Sequence, residues 1–82
     1  MNEVIIIFAS ATTAARVKKI LANEGFYSKV LQTPKQLSTG GCSFSVSSTA
    51  ECISRVREAA KKLGVKIKGI YEITGKGYVD VL

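Results

Sequence analysis

The order in which strand and helix patterns follow one another constrains the fold of this chain most. Residues 4–8 (VIIIF) form a continuous β-branched and aromatic run, which predicts a central strand buried on both faces. The patterns that follow give the order β-α-β-β-α-β, with a short strand added at the C-terminus. This order predicts an α+β, ferredoxin-like two-layer sandwich, in which two helices cover one face of an antiparallel sheet. The first and third strands are then neighbours at its centre.

Capping residues and glycines set the limits of the two predicted helices. Ser10 is the expected N-cap of the first helix, whose apolar residues recur at helical spacing until Gly25. Ser48 and Glu51 have the spacing of a capping box and predict the start of the second helix, which ends at Gly64. The expected helix faces carry Ala14, Val17, Ile20 and Leu21 in the first case and Ile53, Val56, Ala60 and Leu63 in the second.

The remaining strands are predicted from alternation and turn residues. The second strand covers residues 26–32, and the third begins at Cys42 with alternating apolar and serine residues. The fourth covers residues 66–74, and a glycine-rich turn leads into a last strand at 78–82. All 82 residues are expected to form one domain.

Composition excludes several classes of chemistry. The chain has two cysteines and no histidine, which excludes Ser–His and Cys–His nucleophilic catalysis. The cysteine spacing also excludes a CxxC metal or redox pair, so neither a metal nor a cofactor is expected. The N-terminus has no basic region, and its apolar run is too short for a signal peptide, which predicts a cytoplasmic protein with reduced thiols.

Cys42 is the candidate reactive residue. It follows Gly40 and Gly41, and the predicted topology places it beside the end of the first strand, facing the first turn of the first helix. Unpaired amides there favour an anion, and thiols in such positions have pKa values of roughly 3.5–7.5 against about 8.5 for a free cysteine. The predicted site is Cys42 with an anion pocket of Ser10, Thr12, Thr13, Thr33, Pro34, Lys35, Gly40 and Gly41.

A structural role is the alternative for both cysteines. Cys42 shares a strand face with Phe44 and Val46, as a small core residue would. Cys52 lies in the first turn of the second helix and is expected to fill the core. About five strand residues separate the two sulfurs by roughly 16 Å, too far for a disulfide.

The chain resembles a family of small prokaryotic proteins described as selenium or sulfur carrier protein-like, from about residue 5 to residue 73. The resemblance rests on Ser10 and Thr13 before an alanine-bearing helix, the turn at Gly25, and Thr33-Pro34 with Cys42 eight residues after the proline. It also includes residues 31–34 (LQTP) and 70–73 (IYEI). The family commonly has glycine directly after the cysteine, where this chain has Ser43.

The resemblance implies a carrier more than an enzyme. Cys42 would hold sulfur or selenium as a persulfide or selenosulfide and pass it from a donor protein to an acceptor protein. Two alternatives involve no covalent chemistry. The net charge of +6 suits a basic domain that binds nucleic acid or another acidic partner, although the expected sheet face carries serines instead of stacking aromatics. Ile5 and Ile7 on that face suggest that it is covered, either by another chain in a homodimer through the open sheet or by the C-terminal strand.

Overall fold

The computed structural model describes residues 3–35, 37 and 43–81. Within them the strands are Glu3–Phe8 (β1), Lys29–Gln32 (β2), Phe44–Thr49 (β3), Gly69–Thr74 (β4) and Gly77–Asp80 (β5). The helices are Ala11–Asn23 (α1) and Ile53–Leu63 (α2), and a 3-10 turn at Ala50–Cys52 precedes α2. The predicted order of elements is therefore confirmed. The second and fourth strands are three residues shorter at their N-terminal ends than predicted.

The strands form one antiparallel sheet in the order β2-β3-β1-β4-β5. The predicted pairing of the first and third strands is confirmed, with Ile6 opposite Val46 at the middle of the contact. Both neighbours of β1 are antiparallel to it, so β1 is the central strand that its apolar run predicts. The structure is an α+β fold with two helices and a five-stranded antiparallel sheet, and β5 adds an edge beyond β4.

Both helices pack on the same face of the sheet. Val4, Ile6 and Phe8 of β1 lie in one buried cluster with Val17 of α1 and Val56 of α2. Every second residue of a strand points to the same face, so this half of β1 faces the helices. The completely buried members of the cluster are Val4, Ile6, Phe8, Ala14, Val17, Leu21, Val46, Cys52, Val56 and Ile70. Cys52 is thus a core residue, as predicted.

The sequence signals for the helix ends are confirmed in three cases and wrong in one. Ser10 caps α1, and the chain takes positive φ at Gly25 after α1 and at Gly64, the C-cap of α2. The predicted capping box is wrong. The Ser48 hydroxyl donates to the carbonyl oxygen of Tyr27 at 2.6 Å, and the 3-10 turn starts after Thr49 with no side-chain cap. Ser48 is buried in β3, and this contact ties it to the segment before β2.

The centre of the face opposite the helices is buried within the chain itself. Ile5 and Ile7 are only 3% and 5% exposed, and Ser45 is fully buried. A Cβ built on Gly69 would lie 3.0 Å from Cε2 of Tyr71 and 3.8 Å from Cδ1 of Ile7. The missing side chain of Gly69 therefore leaves the space that the Tyr71 ring occupies.

This closure weakens two of the sequence-based alternatives. Because Ile5 and Ile7 are already buried, they give no apolar patch for the predicted homodimer through the open face. The central strands β1 and β3 present isoleucines and serines there, and these side chains give no platform on which bases could stack.

Candidate functional site

Three strand ends meet at the end of the sheet where the sequence predicts the site. Phe8, the last residue of β1, lies opposite Phe44, the first residue of β3. Phe44 also lies opposite Gln32, the last residue of β2. Three segments therefore lie next to one another at this end of the sheet: those that follow β1 and β2, and the one that precedes β3. The predicted meeting of the third strand's start with the first strand's end is confirmed.

The start of α1 forms the helix side of this end. The Ser10 Oγ accepts a hydrogen bond from the Thr13 amide at 3.2 Å and lies 3.0 Å from the Thr13 Oγ1. Ser10 and Thr12 are exposed, and Thr13 is half-buried. All residues of α1 are described, and its first turn holds no acidic side chain. This helix start thus presents amides and hydroxyls with no acidic side chain in its own first turn, an arrangement that favours an anion.

A buried group of three hydroxyls, Thr33, Ser43 and Ser45, lies on the other side of the sheet. The Ser43 hydroxyl donates to the Thr33 Oγ1 at 2.8 Å, and the Thr33 Oγ1 lies 2.7 Å from the Ser45 Oγ. The Thr33 amide also donates to the Ser43 carbonyl oxygen at 3.1 Å. Ser45 alternates with the core residues Phe44 and Val46, so this hydroxyl group lies on the face away from the helices.

Pro34 turns the chain away from the sheet directly after Thr33. Its carbonyl oxygen accepts a hydrogen bond from the Leu37 amide at 2.9 Å, which closes a turn over Lys35. Pro34 is half-buried and Lys35 is exposed. The Lys35 ammonium group is therefore open to solvent close to the end of β2.

The described members of the predicted pocket fall into two sets on opposite sides of the sheet. Ser10, Thr12 and Thr13 belong to the helix layer, whereas the Thr33 hydroxyl is bonded on the other face. The predicted residues Gly40, Gly41 and Cys42 lie outside the described residues, so the Cys42 site stays a prediction. Ser43, which directly follows Cys42 in the chain, is held to Thr33 by a main-chain and a side-chain hydrogen bond.

The sequence reasoning missed the role of Ser43 and Ser45. Alternation predicted their shared face, but it gave no sign that both hydroxyls would be buried around Thr33. The signal that was available is the pairing of the second and third strands. Once Gln32 is opposite Phe44, the next pair is Thr33 and Ser43.

Other described features lie away from this end. A pocket of about 340 Å³ opens at the far end of β1 and β3, lined by Glu3, Tyr27, Lys29, Ser47, Ser48 and Thr49. The Ser47 hydroxyl donates to Oε1 of Glu3 there at 2.7 Å. Among residues 3–35, 37 and 43–81, no group of three or more acidic, cysteine or histidine side chains is placed to bind a metal ion. No helix in that same part of the chain has the length and hydropathy to cross a membrane.

Comparison with known proteins identifies the family. The model of the family described as Putative Se/S carrier protein-like matches residues 3–72, which include both strands of the β1–β3 pair, both helices and the position of Cys42. No curated protein and no solved structure matches the chain. The match covers well over half of the sequence, and the chain therefore belongs to the Putative Se/S carrier protein-like family.

Proposed function

We propose that this protein carries sulfur or selenium covalently on Cys42 and relays it between partner proteins. The Cys42 thiolate attacks the terminal sulfur of a persulfide on the donor protein. A bond forms between the two sulfurs, the donor's sulfur–sulfur bond breaks, and the donor leaves as a thiolate. The electrons balance without an external oxidant. Transfer to the acceptor protein repeats the step with Cys42 as the leaving thiolate, and selenium takes the place of the terminal sulfur in the same scheme.

The convergence of three strand ends is the observation that carries this proposal. A carrier cysteine needs a position where its thiolate is favoured and a partner's sulfur can approach. Phe44 is paired with Phe8 on one side and with Gln32 on the other. This pairing brings the start of α1 and the chain before β3 to one end of the sheet. Family membership independently supports a carrier role, since the matched residues include position 42.

Each predicted site residue has a role in the proposal. The α1 start, with Ser10, Thr12 and Thr13, favours the anionic sulfur and the terminal chalcogen atom. The exposed Lys35 adds a positive charge on the approach side, and Gly40 and Gly41 leave room for the partner's sulfur. Thr33 and Pro34 anchor and redirect the chain beside Ser43, one peptide unit or about 3.8 Å from the Cα of Cys42.

The finer assignments belong to the same proposal. The four strands β2-β3-β1-β4 constitute a ferredoxin-like sheet, and β5 is an addition to it. The protein works in the cytoplasm, where thiols stay reduced and a persulfide can be handed on. Its donor and acceptor are proteins, and it performs no turnover on a small substrate.

Mass spectrometry of the intact protein tests the proposal. After incubation with a cysteine desulfurase and cysteine, the protein should gain about 32 Da, or about 80 Da when selenocysteine supplies selenium. Cys42→Ser should abolish the gain, whereas the matched variant Cys52→Ala should keep it, because Cys52 is fully buried. An unmodified wild-type protein, or an adduct that survives Cys42→Ser, would show that Cys42 is not the carrier.

A further inference from the structure

Exposed lysines lie on both sides of the sheet end at which β1 and β2 finish and β3 begins. On the β2 side, the exposed Lys35 follows the end of that strand. On the β4 side, the Lys68 amide donates to the Ile7 carbonyl oxygen at 2.8 Å, which places Lys68 beside the last residues of β1. Lys66 and Lys68 are exposed on either side of Ile67, whose side chain packs against the core. Both lysine side chains are therefore open to solvent.

Helix α2 ends at this same end of the sheet. It begins after β3 has reached the far end, and residues 64–68 connect its last turn to the start of β4. That last turn carries the exposed residues Lys61 and Lys62. Lys62 lines a pocket together with Glu58, so a carboxylate lies near its ammonium group. Lys61 completes a set that we call the lysine surface: Lys35, Lys61, Lys66 and Lys68.

The acidic side chains of the chain lie away from the lysine surface. All six are described: Glu3, Glu24, Glu51, Glu58, Glu72 and Asp80. The first three are at the start of β1, the end of α1 and the start of the turn before α2, all at the far end. The two in β4 and β5 lie opposite Val4 and Tyr71, in the half of the sheet nearer that end. The remaining one, in the middle of α2, has its Oε2 3.9 Å from the Arg55 Nη1.

This separation of charge favours an anionic partner at the site end. A patch of one sign concentrates partners of the opposite sign and speeds their association. A lysine in the last turn of a helix also offsets the helix dipole, which accounts for Lys61 but not for the other three. Nucleic acid fits less well than protein, because the exposed aromatic residues of the described chain, Tyr27 and Tyr78, lie near the far end and cannot stack bases beside these lysines.

We propose that the lysine surface docks an acidic protein surface, which surrounds the sulfur-bearing cysteine of the donor or acceptor protein. The proposal rests on the function proposed above, since it concerns the partners of Cys42. Carboxylates around the partner's cysteine lie against lysines on both sides of the sheet end, and the partner's sulfur is thereby directed to the space between them. The attraction acts mainly on the rate of association, and salt weakens it.

Three activated peptides test the proposal. In each, a cysteine is joined to 2-thiopyridine by a disulfide and is flanked by glutamates, by glutamines or by lysines. The Cys42 thiolate attacks the peptide sulfur, a protein–peptide disulfide forms, and pyridine-2-thione leaves and is measured by its absorbance. At low ionic strength the acidic peptide should react about tenfold faster than the neutral one, and the basic peptide more slowly. At an ionic strength of about 1 M, where the Debye length is about 3 Å, the three rates should converge.

Two double variants of equal net charge separate the lysine surface from the charge of the whole molecule. Lys66→Glu with Lys68→Glu should lower the ratio of the acidic to the neutral rate at least about threefold. Lys18→Glu with Lys19→Glu should keep most of that ratio, because both residues are exposed in the half of α1 that leads to the far end. A ratio of two rates cancels any change in the reactivity of the thiol itself. Far-UV circular dichroism checks that both variants are folded.

The outcomes distinguish this proposal from the carrier function. Equal rates for the three peptides at low ionic strength, or a preference that both double variants lower alike, would overturn the docking proposal and leave the carrier function in place. Failure of every peptide to react with Cys42 would overturn both. A labelled single-stranded RNA is the remaining probe. If it binds at physiological salt and the Lys66→Glu, Lys68→Glu variant loses that binding, the surface belongs to nucleic acid and the proposal is wrong.

Discussion

Thr33 is the residue whose contacts most directly link the sheet to the proposed site. Its hydroxyl accepts from Ser43 at 2.8 Å and lies 2.7 Å from the Ser45 Oγ, and all three residues are buried. Ser43 is the first described residue after Cys42. Thr33 therefore holds the chain at Ser43, directly after the predicted carrier cysteine.

Replacing Thr33 with valine should destabilise the protein. Valine keeps the shape of threonine but leaves the buried hydroxyls of Ser43 and Ser45 without their shared partner, at a cost of about 1–3 kcal/mol. Urea denaturation followed by circular dichroism measures the change. Thr33→Ser keeps the hydroxyl and should retain more of the stability. A Thr33→Val protein as stable as the wild type would show that these hydrogen bonds do not stabilise the fold.

Ser10 should contribute through its helix cap. Ser10→Ala removes the acceptor of the Thr13 amide and should lower the free energy of unfolding by about 1 kcal/mol. Thr12→Ala is the matched control, since Thr12 is exposed in the same turn and should change stability by less than about 0.5 kcal/mol. A larger loss from the control than from Ser10→Ala would contradict the capping role.

At the residue scale, the sequence correctly predicted features that depend on residues close together in the chain, such as helix caps. The Ser10 cap and the glycines after both helices follow from short-range rules, because a helix end needs an acceptor or a positive φ nearby. The Thr33–Ser45 contact joins residues 12 apart, and the alternation of β3 alone could not reveal it. The Ser48 prediction was wrong for the same reason, since Tyr27 supplies an acceptor 21 residues away.

At the scale of the elements, Gly69 leaves little room for a side chain on the face of β4 that carries the Tyr71 ring. Gly69→Ala places a Cβ 3.0 Å from Cε2 of Tyr71, so the ring must shift, and a loss of about 1 kcal/mol is expected. Gly75→Ala is the matched control, because a Cβ there meets nothing within 4 Å. Thermal unfolding of the two variants gives the comparison, and equal melting temperatures would rule out the close packing of Tyr71 over β4.

The elements themselves were predicted better than their limits. Strand β1 was identified from its apolar run because a strand buried on both faces needs one. The second and fourth strands start later than predicted, at Lys29 and Gly69. In both cases a connecting segment of five residues, 24–28 or 64–68, lies between the end of a helix and the first paired residue of the strand. Alternation of apolar and polar residues shows which face of a strand is buried. It does not show at which residue the pairing with a neighbouring strand begins.

For the whole molecule, the order of elements was enough to predict the pairing of β1 with β3 and the two helices on one face. It left open whether another chain or the C-terminal strand would cover Ile5 and Ile7, and both residues are buried within the single chain. Ile5 and Ile7 lie opposite Tyr71 and Gly69 of β4, and this pairing is set by strand order and not by local pattern. The open face therefore offers less surface for a partner than its isoleucines suggested.

The two cysteines make the central claim directly measurable. Cys52 is fully buried in the core, so it is an internal reference for a thiol without a carrier role. In the folded protein, only a cysteine accessible to solvent should react with a small alkylating reagent. Cys42 should be that residue, because a carrier thiolate must meet a partner's sulfur.

The decisive measurement is the rate of iodoacetamide alkylation at each cysteine as a function of pH, read by peptide mass spectrometry. If Cys42 is the carrier, it should react with a pKa in the range of roughly 3.5–7.5, below the value of about 8.5 for a free thiol, while Cys52 stays protected. The alkylation rate of Cys42 should therefore be larger at neutral pH than that of a free thiol, and it should fall as the pH drops through that pKa. A Cys42 that titrates like a free thiol, or that is as protected as Cys52, would show that Cys42 is not the carrier.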